Sequence, residues 1–177
     1  MSKLLWTPSE KKTKESILNS FSKFANFNSN KQFKNIWQWS VAEPKLFWSK
    51  FWDYSNIIGD KGNEIIRKDK IFNKTLFFPN SKINYSENIL KKKSNDIAIN
   101  FLSEKGFEEN LSWKSLYEKV CKFSSYLKTI GLKKEDRIAA YVPNKIESVI
   151  SFLACAKNGI IWSSCSPDFG VKGVIER

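Results

Sequence analysis

The stretch from residue 137 to residue 164 constrains the fold more than any other part of the chain. A short apolar strand occupies residues 137–142 and is stopped by a proline. The next segment is predicted to be a helix, opened by Asn144 as the first residue of a capping box and closed by Gly159. A second apolar strand follows at residues 160–164. Strand, helix and strand joined by short connections predict a right-handed parallel crossover, so this half of the chain is expected to form an α/β sheet.

A β-hairpin and a long helix are predicted ahead of this crossover. Apolar residues alternate from Ile97 to Phe101, which predicts a strand with these two residues on one face, and residues 107–113 predict the returning strand. Ser112 is placed to cap the helix that follows, and Gly131 is placed to end it. The apolar face of that helix is predicted to hold Trp113, Leu116, Tyr117, Val120, Phe123, Leu127 and Ile130.

The first half of the chain has the pattern of a helical, aromatic-rich leader. Thr7 is a capping residue, with Pro8 at the first helical position and Glu10 three residues after the cap, which predicts a helix start. One helix is predicted to follow, with Ile17, Leu18, Phe21 and Phe24 on its apolar stripe. Four of the seven tryptophans fall between residues 37 and 52, at helical spacing and without interleaved arginine. We therefore predict that these rings pack in a core or between domains, rather than forming a platform for stacked bases.

The change from helical to alternating pattern predicts a division into a leader, residues 1–92, and a second domain, residues 93–177. The polar run of residues 91–95 is predicted to be the linker. Only two parallel strands are predicted in the second domain, which would leave the sheet with an open edge and an uncovered face. We therefore expect an incomplete α/β sheet, as in the amino-terminal piece of a longer protein.

The formal charge of +12 raises the possibility of nucleic-acid binding, because clustered cations release counterions from a phosphate backbone. However, 27 of the 30 basic residues are lysine, and they are dispersed along the chain. Planar recognition of phosphate and guanine favours arginine instead. The pattern is typical of a solvated lysine surface, and no nucleic-acid partner is expected.

Several further classes are excluded by composition. No apolar run approaches the roughly 18 residues needed to span a bilayer, and there is no secretory signal, so we expect a cytoplasmic protein without membrane contact. The spacing of Cys121, Cys155 and Cys165 fits neither a disulfide framework nor a metal knuckle, and buried thiols are predicted. The absence of histidine removes Ser-His-Asp and Cys-His catalysis and the commonest zinc sites. No catalytic residue and no metal ligand is predicted in this chain.

Two stretches of the second half resemble a known superfamily. Residues 131–159 read GLKKEDRIAAYVPNKIESVISFLACAKNG and resemble an early block of the adenylate-forming superfamily of acyl-CoA synthetases, luciferases and peptide-synthetase adenylation domains. Residues 161–170, IWSSCSPDFG, are similar to the version of the acetoacetyl-CoA synthetase family. The leader agrees with that family in the segments WTPS (6–9), WQWSV (37–41), FW (47–48) and NYSEN (84–88).

The resemblance implies a helical leader followed by a hairpin and the first parallel βαβ units of the adenylate-forming ligase fold. It also implies a two-step ligase of ketone-body and lipid metabolism that uses Mg²⁺. Such a ligase condenses acetoacetate with ATP to an acyl-adenylate, releasing pyrophosphate, and then passes the acyl group to the thiol of coenzyme A, releasing AMP. The family's Gly-rich phosphate loop ending in Pro-Lys does not occur in these 177 residues, and neither does GxxxxGK. The nucleotide-binding and catalytic residues are therefore expected downstream, and the chain alone is expected to be inactive.

Ligands of α/β sheets bind beyond the carboxyl ends of the strands, and the loop after the second predicted strand lies at such an end. In acetyl-CoA synthetases the matching loop lies beside the nucleotide of coenzyme A. The resemblance therefore implies that Ser166, Pro167, Asp168 and Phe169 form a loop near coenzyme A. Ser-Pro-Asp replaces Phe-Gly-Gly there and loses glycines that let a ligand approach the backbone. The alternative is a packing role, in which Asp168 caps the next helix and Arg177 is a surface residue.

Two other functions stay open at this point. The acid could be acetate, propionate or another short acyl group, because most of the acyl pocket is expected downstream. A different class is a non-catalytic interaction module that docks on another subunit through its Trp-rich helices.

Overall fold

The computed structural model describes residues 5–27 and 33–177, and the chain divides into two compact units, Met1–Lys82 and Ile83–Arg177. The first unit is mainly helical and the second combines helices with strands. Within the described residues, no helix is long and apolar enough to cross a bilayer.

The helices of the first unit are α1 (Glu10–Lys14), α2 (Ile17–Phe24), α3 (Phe33–Ala42) and α4 (Pro44–Tyr54). The predicted start at Thr7 is wrong, because Ser9 is the N-cap and its side chain accepts a hydrogen bond from the Lys12 backbone N–H. The single predicted helix is also wrong. Ser16 has extended backbone angles and caps α2 through a bond from the Asn19 N–H, which separates α2 from α1.

Aromatic rings form the core of the first unit. Phe21 is 4% exposed, and its ring lies 5.3 to 6.3 Å from four other aromatic rings. These belong to Trp39, Phe47, Phe51 and Tyr54. Most of these contacts are edge-on, the arrangement that aromatic quadrupoles favour. These rings pack on one another, so Trp39 lies in a core as predicted, whereas Trp37 is 53% exposed.

Short strands and one 3-10 turn follow α4. They are β1 (Gly59–Asp60), β2 (Ile66–Arg67), the 3-10 turn Phe72–Lys74, β3 (Leu76–Phe77) and β4 (Lys82–Ile83). Strands β2 and β3 pair antiparallel, with Ile66 opposite Phe77.

The elements of the second unit are α5 (Tyr85–Ile89), β5 (Ile97–Leu102), β6 (Glu108–Ser112), α6 (Trp113–Thr129), β7 (Arg137–Tyr141), α7 (Ile146–Asn158), β8 (Ile161–Cys165) and α8 (Val171–Ile175). Strands β5 and β6 form the predicted antiparallel hairpin. Strands β7 and β8 pair in parallel across α7, which confirms the predicted crossover. The unit therefore has the α/β character expected from its pattern.

The hairpin contains a β-bulge that the alternation did not predict. Ile97 lies opposite Ser112 and Ile99 opposite Leu111, so Ala98 is an extra residue on β5. Ala98 and Ile99 pack against the core, whereas Ile97 is 59% exposed. The prediction that Ile97 lies on the same face as Phe101 is therefore wrong, because Phe101 packs against the core as Ile99 does. The returning strand is also shorter than predicted, because Trp113 begins the helix.

The two long helices of the second unit supply most of its core. Ser112 caps α6 as predicted, by accepting a hydrogen bond from the Ser115 N–H at 3.2 Å. The capping box predicted at Asn144 is wrong. The N-cap of α7 is Lys145, whose ammonium group cannot accept a hydrogen bond from the first-turn N–H groups. The buried core residues are Leu90, Leu111, Leu116, Val120, Leu127, Ile146, Ile150, Leu153, Ala154, Cys155 and Ile160.

The thiols are free. Cys155 and Cys165 are buried as predicted, while Cys121 is half-buried. Burial raises the pKa of the Cys155 thiol, because the apolar surroundings disfavour the thiolate.

Candidate functional site

The carboxyl ends of β7 and β8 lie side by side in the second unit. Tyr141, the last residue of β7, is directly opposite Cys165, the last residue of β8. The pairing continues one step further, since the Val142 N–H donates to the carbonyl of Cys165 at 3.1 Å. The loops that follow β7 and β8 therefore lie at the same edge of the sheet, where ligands of parallel sheets bind.

The four predicted site residues form a single turn after β8. The Phe169 N–H donates to the carbonyl of Ser166 at 3.1 Å, which closes the turn. Across it, the Ser166 hydroxyl donates to a carboxylate oxygen of Asp168 at 2.8 Å. Pro167 and Asp168 are exposed, while Ser166 and Phe169 are half-buried. The turn thus presents a proline ring and a carboxylate to solvent and keeps its serine and phenylalanine closer to the protein.

A residue that sequence reasoning missed holds this turn from the neighbouring strand. The Tyr141 hydroxyl lies 2.7 Å from the carbonyl of Pro167 and 3.3 Å from the carbonyl of Phe169, so its one proton is shared between two acceptors of the turn. The signal that could have found it is positional. A tyrosine at the last position of a parallel strand is adjacent to the loop that leaves the next strand.

Asp168 does not cap the following helix. The N-cap of α8 is Gly170, which has no side chain to donate or accept, and the Asp168 carboxylate is bonded to Ser166 within the turn. Arg177 is exposed, as the packing alternative proposed, and its guanidinium lies over the Phe169 ring, 4.2 Å from the centroid. Gly173 leaves room for that ring, since a Cβ at this position would lie 3.2 Å from Phe169.

The loop after β7 shapes the other side of this edge. A shallow depression is lined by Val142, Pro143, Lys145, Glu147, Ser148 and Ser151. Lys145 is exposed there and precedes α7. The two loops together offer a cation, a carboxylate, hydroxyls and an aromatic ring. These groups can bind a polar ligand, and the chain has no histidine to act there as an acid or base.

A resident metal is not supported by this part of the chain. In residues 5–27 and 33–177, no three side chains among histidine, cysteine, aspartate and glutamate come together as a metal ion requires.

A model of the family described as AMP-binding enzyme matches residues 86–175. The match covers half of the chain and includes β7, β8 and the turn between β8 and α8. The chain belongs to the AMP-binding enzyme family.

Two relatives illustrate the similarity of the chain to curated proteins. Acetoacetyl-CoA synthetase of Xenopus tropicalis is 37% identical over 182 residues, which cover 99% of the chain and 27% of the relative. Acetoacetyl-coenzyme A synthetase of Rhizobium meliloti is 33% identical over 177 residues, which cover 98% of the chain and 27% of the relative. The chain thus spans about a quarter of the length of the curated relatives it matches.

A solved structure shares the fold of the chain. Acetoacetyl-CoA synthetase from Streptomyces lividans superposes with a TM-score of 0.85 at 24% identity, over 99% of the chain and 28% of that structure. The similarity extends over both the helical leader and the α/β second half, as the fold prediction requires.

Proposed function

We propose that this chain forms the amino-terminal part of an ATP-dependent ligase that converts acetoacetate to acetoacetyl-CoA. The observation that carries the proposal is similarity along almost the entire chain to acetoacetyl-CoA synthetases of a vertebrate and a bacterium, at 37% and 33% identity. The family match supports the broader class, an acyl-CoA ligase that passes through an acyl-adenylate.

The proposed reaction has two steps. A carboxylate is a poor electrophile because its negative charge is spread over two oxygens. In the first step a carboxylate oxygen attacks the α-phosphorus of ATP, so an acyl–AMP anhydride forms and pyrophosphate leaves. In the second step the thiol of coenzyme A attacks the acyl carbon, the thioester forms, the thiol proton is released and AMP leaves with the electron pair of the broken bond.

The part of this chain in the reaction is proposed to be binding, not bond making. The turn Ser166–Phe169 is proposed to lie near the nucleotide of coenzyme A, because it projects from the carboxyl end of a parallel strand and carries exposed polar groups. The 177 residues contain no GxxxxGK sequence and no Gly-rich loop ending in Pro-Lys. We therefore propose that they catalyse neither step without further residues and that such residues hold Mg²⁺. We also propose that the enzyme is cytoplasmic.

Malonamate is a second candidate for the acid, because one of the similar proteins is a malonamoyl-CoA synthetase. Malonamoyl-CoA synthetase of Penicillium aethiopicum is 28% identical over 157 residues, covering 84% of the chain and 22% of that protein. The acyl group could therefore differ from acetoacetyl while the ligase class stays the same.

The test expresses the full-length gene product and, separately, residues 1–177. Each is assayed for acid-dependent exchange of pyrophosphate into ATP, and for thioester formation, with acetoacetate, acetate, propionate and malonamate. We expect the full-length protein to use acetoacetate best and residues 1–177 to show no exchange with any acid. Preference for another acid would contradict the proposed substrate. Exchange by residues 1–177 would contradict the proposal that they lack catalytic machinery.

A further inference from the structure

Tyr141 connects two loops that are far apart in sequence. Its position at the end of β7 places the ring beside the turn that leaves β8. The ring is 55% exposed, so the residue is not held there by burial in the core. Its hydroxyl makes hydrogen bonds instead, to the carbonyls of Pro167 at 2.7 Å and Phe169 at 3.3 Å. A phenylalanine would retain the ring but could not donate these bonds.

The hydrogen bonds act on the backbone of the turn and leave its side chains available. Both acceptors are main-chain carbonyls, while the side chains of Pro167 and Asp168 remain exposed. The bond between Ser166 and Asp168 fixes the carboxylate within the turn, and the Tyr141 bonds fix the turn relative to β7. The exposed groups are therefore held in one arrangement before a ligand arrives.

We propose that Tyr141 is a positioning residue for coenzyme A, which it serves by holding the Ser166–Phe169 turn in its binding arrangement. This role rests on the proposed function, in which the turn lies near the nucleotide of coenzyme A. The apparent affinity of a ligand falls by the fraction of protein in the competent conformation. Loss of a net contribution typical of one hydrogen bond lowers the equilibrium constant for the competent conformation about two- to tenfold, and the competent fraction falls by up to that factor.

The test is Tyr141→Phe in the full-length gene product. We expect the KM for coenzyme A in thioester formation to rise about two- to tenfold. Acid-dependent exchange of pyrophosphate into ATP should be unchanged, because that step does not use coenzyme A. Hydrogen exchange at the Phe169 amide, which donates to Ser166 in the closed turn, should become faster by a similar factor.

The matched control is Tyr126→Phe, which removes the hydroxyl of an exposed tyrosine on α6, and this variant should behave as the parent protein. An unchanged KM for coenzyme A in Tyr141→Phe would overturn the proposal. Equal loss of both half-reactions would overturn it too, because Tyr141 would then support the fold generally. If the parent protein forms no thioester, the proposed function is wrong. The Phe169 amide exchange then decides separately whether Tyr141 holds the turn.

Discussion

Gly159 and Gly131 end the two long helices of the second unit in the same way. Each has a left-handed backbone, with φ of +70° and +90°, in the Schellman pattern of reverse hydrogen bonds. The surroundings differ, however. A Cβ on Gly159 would lie 2.9 Å from Cγ of Lys134, whereas a Cβ on Gly131 would have no heavy atom within 4 Å. Substitutions at the two glycines can therefore distinguish the cost of backbone strain, expected at both positions, from the cost of steric contact, expected only at Gly159.

We expect Gly131→Ala to lower the free energy of unfolding of this unit by about 1–2 kcal/mol, from backbone strain alone. Gly159→Ala should cost roughly 1 kcal/mol more, because Lys134 must move. Native-state hydrogen exchange of core amides measures both values. In a Lys134→Ala background the cost of Gly159→Ala should fall to that of Gly131→Ala. A cost that stays the same would show that contact with Lys134 is not the cause.

At the scale of elements, α6 and α7 are joined by a polar pair, formed by the buried Ser124 and the half-buried Asn158. The Ser124 hydroxyl donates to the side-chain oxygen of Asn158 at 2.8 Å, and the Asn158 amide donates to the carbonyl of Ser124 at 2.9 Å. Ser124 is 3% exposed and Asn158 is half-buried, so water has little access to the Ser124 hydroxyl. The pair satisfies polar atoms where the two helices pack.

Ser124→Ala should lower the free energy of unfolding by about 1–3 kcal/mol, because it leaves the Asn158 oxygen without its donor. Ser125→Ala, at the exposed neighbouring position of α6, is the matched control and should be close to neutral. Urea unfolding or amide exchange in α6 and α7 measures the difference. Equal stability of the two variants would mean that the serine–asparagine pair contributes nothing.

Local sequence patterns predicted where the helices and strands of the second unit lie, but they did not predict all of the contacts that these elements make. Helix α6 was predicted because its cap at Ser112 and its apolar stripe are encoded within one segment. The bulge at Ala98 and the N-cap of α7, which has no side-chain hydrogen bond, were not predicted. Both depend on which atoms of another segment or loop are nearby. Ser124 was missed for the same reason, since its partner lies 34 residues away in sequence.

In the candidate site too, local features were predicted from the sequence and a contact between separate segments was not. A loop after β8 was predicted because strand ends can be recognised from apolar patterns, and the choice of Ser166–Phe169 within it came from the resemblance. The hydroxyl of Tyr141 was not predicted, because its role follows from the register that places Tyr141 opposite Cys165. The alternative role of Asp168 as a cap failed because Ser166 competes for its carboxylate.

For the whole molecule, the position of the boundary between the leader and the second domain decides whether α5 is part of one or the other. The chain divides compactly between Lys82 and Ile83, whereas the change of pattern predicts domains of residues 1–92 and 93–177. The latter stays a prediction, because a family domain and a compact unit are defined differently. Two contacts connect α5 to the second unit. Leu90, directly after α5, is 3% exposed in its core, and the Asn84 amide donates to the carbonyl of Ala156 at 2.9 Å.

These contacts predict that a fragment of residues 83–177 is more stable than one of residues 93–177. A fragment that begins at residue 93 lacks both α5 and Leu90, and loss of a buried leucine costs about 2–5 kcal/mol. Urea unfolding followed by the fluorescence of Trp113 and Trp162 measures both fragments. Leu90→Ala in the longer fragment is the control that separates the loss of this side chain from the loss of the helix. If the two fragments were equally stable, α5 would belong with the leader, and the boundary at residues 92 and 93 would be the better division.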